Sequence, residues 1–257
     1  MILKSNSLRV IGIIPARYDS TRFPGKPLVM INGIPMIQRV YEQAQKCKNL
    51  TKVYVATDDE RIEYHVNAFG GNVIMTSPKH RTGTERVSEV AERLQLHDPG
   101  HPWDVVLNIQ GDEPFINPDQ IDSLIECFRD KDVQIATLIH QIDTLDELTD
   151  PNVIKVIIDK TNRALCFSRA ALPFIRGIEV NEWLRHHTYY KHIGLYAYRA
   201  QVLEIISRLK PSPIEIAESL EQMRWIENGF PIYTLLTDID SISVDTPNDL
   251  LKLTNIS

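Results

Sequence analysis

With 257 residues, 43% hydrophobic and 24% charged, the chain has the make-up of a globular protein that buries a core without disulfide or metal staples. A formal net charge of −6 argues against holding nucleic acid through bulk charge, so a polyanionic ligand requires a local basic cluster. Cys47, Cys127 and Cys166 lie far apart and form no CxxC pair, which argues against a zinc ribbon or redox dithiol and fits a reducing compartment.

Apolar runs alternate with amphipathic stretches along the first half of the chain. Residues 8–14 (LRVIGII) read as a buried strand, and residues 35–46 as a helix with Ile37, Val40, Tyr41 and Ala44 on one face. Residues 52–56 (KVYVA) form a second strand. The following Thr57-Asp58-Asp59-Glu60 has the pattern of a capping box, with Thr57 as cap and Glu60 reaching back. A short strand over 72–75, a helix over 83–94, a strand over 104–109 (DVVLNI) and a helix opened by Asn117-Pro118 complete this half. Strands separated by helices of this length predict right-handed βαβ units and a mainly parallel, Rossmann-like sheet. Ligands of such sheets sit beyond the carboxyl ends of the strands, here 15–17, 57–58 and 110–112.

From about Pro151 the texture becomes β-rich, with strands expected over 152–159, 164–168 and 192–199. Helices follow over 201–209 and 216–228, with Pro211 and Pro213 as a local breaker. A strand is expected over 231–236, and a last helix entered at Thr246-Pro247-Asn248-Asp249. The organisation expected is a single domain over 1–257, its halves meeting between 150 and 151. The N-terminus has no apolar run of signal-peptide length, and no stretch approaches 18 apolar residues, so the expectation is a cytoplasmic protein without membrane insertion.

The loop after the first strand, residues 15–27 (PARYDSTRFPGKP), gathers Arg17, Arg22 and Lys26 around Gly25. Arginine grips phosphate oxygens with two parallel donors and lysine adds a point charge, so the loop suits a triphosphate. It is neither a Walker A loop nor GxGxxG.

Residues 14–17 (IPAR) running on to 22–27 (RFPGKP) resemble the opening motif of the sugar-acid cytidylyltransferases, and within them the branch that acts on 3-deoxy-manno-octulosonate (KDO). Residues 56–58 (ATD), 83–86 (GTER), 108–114 (NIQGDEP), 167–169 (FSR), 191–194 (KHIG), 220–222 (LEQ) and 244–247 (VDTP) match in the same order. The resemblance implies an α/β fold of nucleotide-diphospho-sugar transferase type with a β-rich dimerisation extension. It also implies CTP and KDO as substrates, CMP-KDO and pyrophosphate as products, a Mg²⁺ cofactor, a homodimer, and a place in lipopolysaccharide biosynthesis.

Carried over residue by residue, the resemblance makes Asp112 and Asp245 the metal carboxylates. Arg17 and Lys26, assisted by Arg22, become the triphosphate clamp. The backbones of Ala16 and Gly83 read cytosine within an 80–86 loop that has Thr82 where the family usually has serine. Gln110, His192, Tyr196, Glu221 and Gln222 meet the sugar, and Arg169 its carboxylate. A divalent ion held by one or two carboxylates neutralises the charge that develops as pyrophosphate leaves. Other readings keep the chemistry on 8-amino-KDO or a neuraminic acid, make the chain a non-catalytic nucleotide-sugar binder, or take Asp238-Ile-Asp240 as a glycosyltransferase DxD.

Overall fold

The computed structural model of the protein describes residues 8–19, 23–241, 243–244, 246–247 and 249–250. In chain order its elements are β1 (Val10–Ala16), the small hairpin β2 (Met30–Ile31) and β3 (Ile34–Pro35), α1 (Met36–Gln45), β4 (Lys52–Thr57), α2 (Glu60–Ala68), β5 (Val73–Met75), α3 (Gly83–His97), β6 (Val105–Asn108) and α4 (Pro118–Glu126). They continue with β7 (Ile135–Gln141), α5 (Leu145–Thr149), β8 (Lys155–Ile158), β9 (Ala164–Ser168), α6 (Trp183–His186), β10 (Tyr190–Arg199), α7 (Ala200–Ser207), α8 (Pro213–Glu218), α9 (Gln222–Glu227) and β11 (Ile232–Leu236).

Strand β1 shows why two layers of helices are needed. Its side chains alternate: Val10, Ile14 and Ala16 enter an apolar cluster with Ile37, Val40 and Ile121, while Ile11 and Ile13 enter another with Val87, Ile206 and Trp225. A sheet apolar on both faces must be covered on both. Helices α1, α2 and α4 cover one side, and α3, α7 and α9 the other. Each fully buried Ile or Leu contributes about 2 kcal/mol.

Among the described residues the sheet has nine strands, ordered β11-β7-β10-β6-β1-β4-β5, with β8 on β10 and β9 on β8. The run β5-β4-β1-β6 is parallel throughout, as the βαβ pattern requires, and β11 is parallel to β7. Strand β10 is antiparallel to β6, β7 and β8, so the sheet is mixed at that point. Both halves of the chain contribute strands to this one sheet.

Several local expectations change. Strand β7 has no counterpart in the pattern reading, because its first five residues are all buried and give no alternation. Thr57 is still strand, paired with Ala16 and Met75, so the cap of α2 is Asp59, whose carboxylate accepts from the Arg61 amide. The helix expected over 216–228 is two helices, broken at Ser219 with φ 53°. Pro213 is the first residue of α8 rather than a breaker, and Ser212 with Glu215 forms a true capping box there.

Candidate active site

The parallel strands β1, β4, β5 and β6 end on one edge, and the loops leaving those ends converge. Above β6 the chain turns tightly through Gln110-Gly111-Asp112-Glu113. A Cβ on Gly111 would lie 2.9 Å from the carbonyl oxygen of Pro15, so only glycine lets this turn close over the end of β1. The closure brings Asp112 to the basic loop, where its Oδ2 lies 2.6 Å from Lys26 Nζ. Lys26 opens a 3₁₀ turn after Gly25, whose φ of 71° and hydrogen bond to Tyr18 fold the loop back on itself. Arg17 lies just past β1 and makes no hydrogen bond or ion pair among the described residues, leaving its guanidinium for a ligand. Arg22 and Asp245 lie outside the described residues. Val244, the neighbour of Asp245, donates its backbone amide to the carbonyl of Asp112 at 2.9 Å, which joins the two acidic segments.

Gly83 begins α3 beside Pro15 and Asn108, with a built Cβ 3.4 Å from Pro15 Cγ. Gly83 thus packs against Pro15, the residue before Ala16. Thr82 caps α3 by accepting from the Glu85 amide. Thr84 Oγ1 donates to Glu221 Oε2 at 2.8 Å, Thr82 also bonds this carboxylate, and Arg224 Nη2 meets the other oxygen at 3.0 Å. Burial raises the pKa of Glu221, and these donors oppose the rise. Fully buried Arg86 braces the same loop, pairing with Asp58 Oδ2 at 2.8 Å.

On the other side of Asp112 opens a cleft of about 330 Å³. Gln110 lines it and donates to the Gly194 carbonyl at 3.0 Å. Gly194 lies at a break in the β10–β7 register, a bulge that turns this carbonyl toward the cleft. His192 also lines the cleft, with Nε2 3.0 Å from Thr137 Oγ1. The Thr137 hydroxyl has one proton and two carbonyls within reach, so the imidazole is the donor and its Nδ1 is left as an acceptor. One edge of the ring faces the cleft, yet burial pushes its pKa down to about 3 and keeps it neutral. Glu113 is 4% exposed; burial first, then the charge of Asp112, pushes its carboxyl up to about 8 against a hydrogen bond from Ser241.

The remaining expected sugar contacts form a layer behind the cleft. Tyr196 packs on Trp225 and Tyr198, with its ring 5.0 Å from that of His192. Gln222 is buried at the start of α9. Arg169 commits Nε to the Glu218 carbonyl and Nη1 to that of Pro151, next to Asn152 of the cleft wall. Residues without an assigned role from sequence also line the cleft: Glu113, Lys191, Asp240 and Ser241. Glu113, Lys191 and Asp240 stand inside sequence motifs, and motif position was the only signal that marked them. Asp240 Oδ2 of the DxD pairs with Lys191 Nζ at 2.8 Å.

Among the described residues no three His, Cys, Asp or Glu side chains cluster as a closed metal cage. Asp112 at the basic loop is a hard oxygen donor of the kind that Mg²⁺ takes together with phosphate oxygens and water. No helix among the described residues is long and apolar enough to cross a membrane.

A basic loop at the end of the first parallel strand, an acid held against it, and an adjoining polar cleft define a nucleotidyltransferase. The sequence pattern of the cytidylyltransferase family matches residues 11–239. A 3-deoxy-manno-octulosonate cytidylyltransferase of Parabacteroides distasonis is 54% identical over 249 residues, covering 95% of this chain and 96% of that protein. One of the same name from Thermodesulfovibrio yellowstonii is 44% identical, covering 93% and 94%. A solved structure of CMP:2-keto-3-deoxy-manno-octonic acid synthetase complexed with CTP superposes with a TM-score of 0.87 at 41% identity, covering 96% and 98%. The chain belongs to the cytidylyltransferase family.

Proposed function

We propose that the protein joins KDO to CMP, using CTP and releasing pyrophosphate. The anomeric oxygen of the sugar forms the new bond to the α-phosphorus, the bond from that phosphorus to the β-phosphate oxygen breaks, and the hydroxyl proton leaves to solvent. The observation that supports this reading is the hydrogen bond from the Val244 amide to the carbonyl of Asp112, whose carboxylate meets Lys26. Names and close similarity of the relatives support the choice of sugar.

Arg17 and Lys26 hold the triphosphate, with Arg22 assisting, and cations of this kind stabilise the charge that develops on the leaving group. Ala16 and Gly83 present backbone to the cytosine, and Thr82 fixes the turn that does so. Asp112 and Asp245 are the groups to hold Mg²⁺, which when bound neutralises phosphate charge. Gln110 and the Nδ1 acceptor of His192 orient sugar hydroxyls, with Tyr196, Glu221 and Gln222 behind them, while Arg169 stands toward the carboxylate end. Positioning of this kind supplies much of the rate.

Exposed Leu165 on β9, Phe174, Ile216 on α8 and Leu236 on β11 all belong to the second half of the chain and support a homodimer formed there. The site of action assigned is the cytoplasm, with the product feeding lipopolysaccharide biosynthesis. The test is pyrophosphate release from CTP with Mg²⁺ and KDO, run in parallel with 8-amino-KDO and N-acetylneuraminic acid. Turnover greatest with KDO is expected. Turnover confined to another acid would reassign the acceptor, and none with any acid would end the catalytic reading.

A further inference from the structure

Lys191 lies on β10 with only 8% of its surface exposed. Its ammonium meets Glu147 Oε1 at 2.5 Å and Asp240 Oδ2 at 2.8 Å. The two acids arrive from separate elements: Glu147 from α5, and Asp240 from the segment after β11. That segment is stitched down along its length. Gln120 binds Thr237 and the Ile239 carbonyl, Ser241 binds Glu113, and Val244 binds Asp112. Its Asp240 and Ser241 form one side of the sugar cleft, with Lys191 at the junction.

The charges around this cleft are unevenly distributed. Asp112 and Asp240 line it with the buried, protonated Glu113 between them, Glu147 stands behind Lys191, and Lys191 is the sole lysine or arginine among its described lining residues. A sugar acid brings a carboxylate of its own. Like charges on a cleft wall slow entry and weaken binding, more so where the surroundings exclude water.

We propose that Lys191 determines specificity for an anionic acceptor by neutralising Asp240 and Glu147, so that the sugar carboxylate meets no net negative wall. This rests on the reading that the acceptor is a sugar acid. Lys191 thus acts through the two acids, as a positioning and charge-compensating residue, and not as the direct ligand of the carboxylate. Only one side of the cleft depends on it, so the nucleotide side is unaffected.

The test is steady-state kinetics for wild type, Lys191→Met, Asp240→Asn, the double variant and Lys191→Arg, with separate KM values for KDO and CTP and a thermal melt of each. Lys191→Met is expected to raise the KM for KDO by about tenfold while the KM for CTP stays within about twofold. Asp240→Asn alone removes a negative charge and is expected to lower the KM for KDO by about twofold. The double variant is expected to recover most of the loss, and Lys191→Arg to restore the wild-type KM. A double variant no better than Lys191→Met would overturn the proposal, as would a parallel rise in both KM values. Should Lys191→Met fail to fold, Asp240→Asn decides alone, since a rise in its KM for KDO contradicts charge compensation. Failure of the wild type to turn over KDO would instead count against the acceptor reading, and the two failures are therefore distinguishable.

Discussion

The ammonium of Lys26 lies 2.6 Å from the carboxylate of Asp112, a contact between residues 86 apart that joins the loop above β1 to the turn above β6. On the proposed reading one is the cation for phosphate and the other the acid for a divalent ion, and the ion pair holds each in place. Replacing Asp112 by Asn is expected to cut turnover at least about 10³-fold, and Lys26→Met about 10²-fold, with unchanged far-UV circular dichroism. An Asp112→Asn enzyme within about tenfold of wild type would remove Asp112 from the metal site.

Glu113 offers a test in pH. Its carboxyl is pushed up to about 8 in the folded protein by burial and by Asp112, from an ordinary value of 4.5. Between those values the native state binds the proton and the unfolded chain does not, so this group's contribution is greatest below 4.5 and is lost as pH rises toward 8. Glu113→Gln removes the ionisation. Relative to wild type it is expected to gain about 3 kcal/mol between pH 5 and pH 8. Urea melts of metal-free protein at the two pH values measure this, and a constant difference between the proteins would contradict the buried, protonated acid.

Arg86 is fully buried, and its guanidinium is divided between Asp58 and the Thr76 hydroxyl. Removing one partner of such a pair strands the other charge away from water. Asp58→Asn is expected to cost about 3 kcal/mol in a urea melt. Because Arg86 lies in the first turn of α3, the surviving enzyme is also expected to show a raised KM for CTP. A loss under about 1 kcal/mol would mean that water reaches the guanidinium.

Gly111→Ala places a methyl group 2.9 Å from the Pro15 carbonyl, a backbone atom that cannot swing aside. Relieving that contact must lift the turn carrying Asp112 away from β1. The expected outcome is about 1–3 kcal/mol of lost stability together with reduced turnover. Thermal melts and initial rates report both, and a variant with wild-type rates would show that the turn tolerates displacement.

Leu165 is 56% exposed on β9. If the second half forms the homodimer contact, Leu165→Glu places a charge in an apolar interface and shifts the assembly to monomer in sedimentation velocity. Unchanged sedimentation would exclude Leu165 from the interface.

The sequence alone determined the nucleotide half. The buried strand 8–14, the strand 52–56 and the helix with Ile37, Val40 and Tyr41 on one face follow from local periodicity, and their parallel order follows from the connections between them. Arg17, Lys26 and Asp112 were legible because strand ends and short motifs mark them. Tertiary structure decided the rest. It alone inserted antiparallel β10 between β6 and β7, made a strand of the uniformly buried β7, and split α8 from α9 at Ser219. It also brought Lys191 to Glu147 and Asp240, and Thr84 to Glu221. The physical reason is range: a period of two or of 3.6 residues reports the face a residue turns inward, whereas a pair 49 or 137 residues apart meets only after the sheet has chosen its strand order.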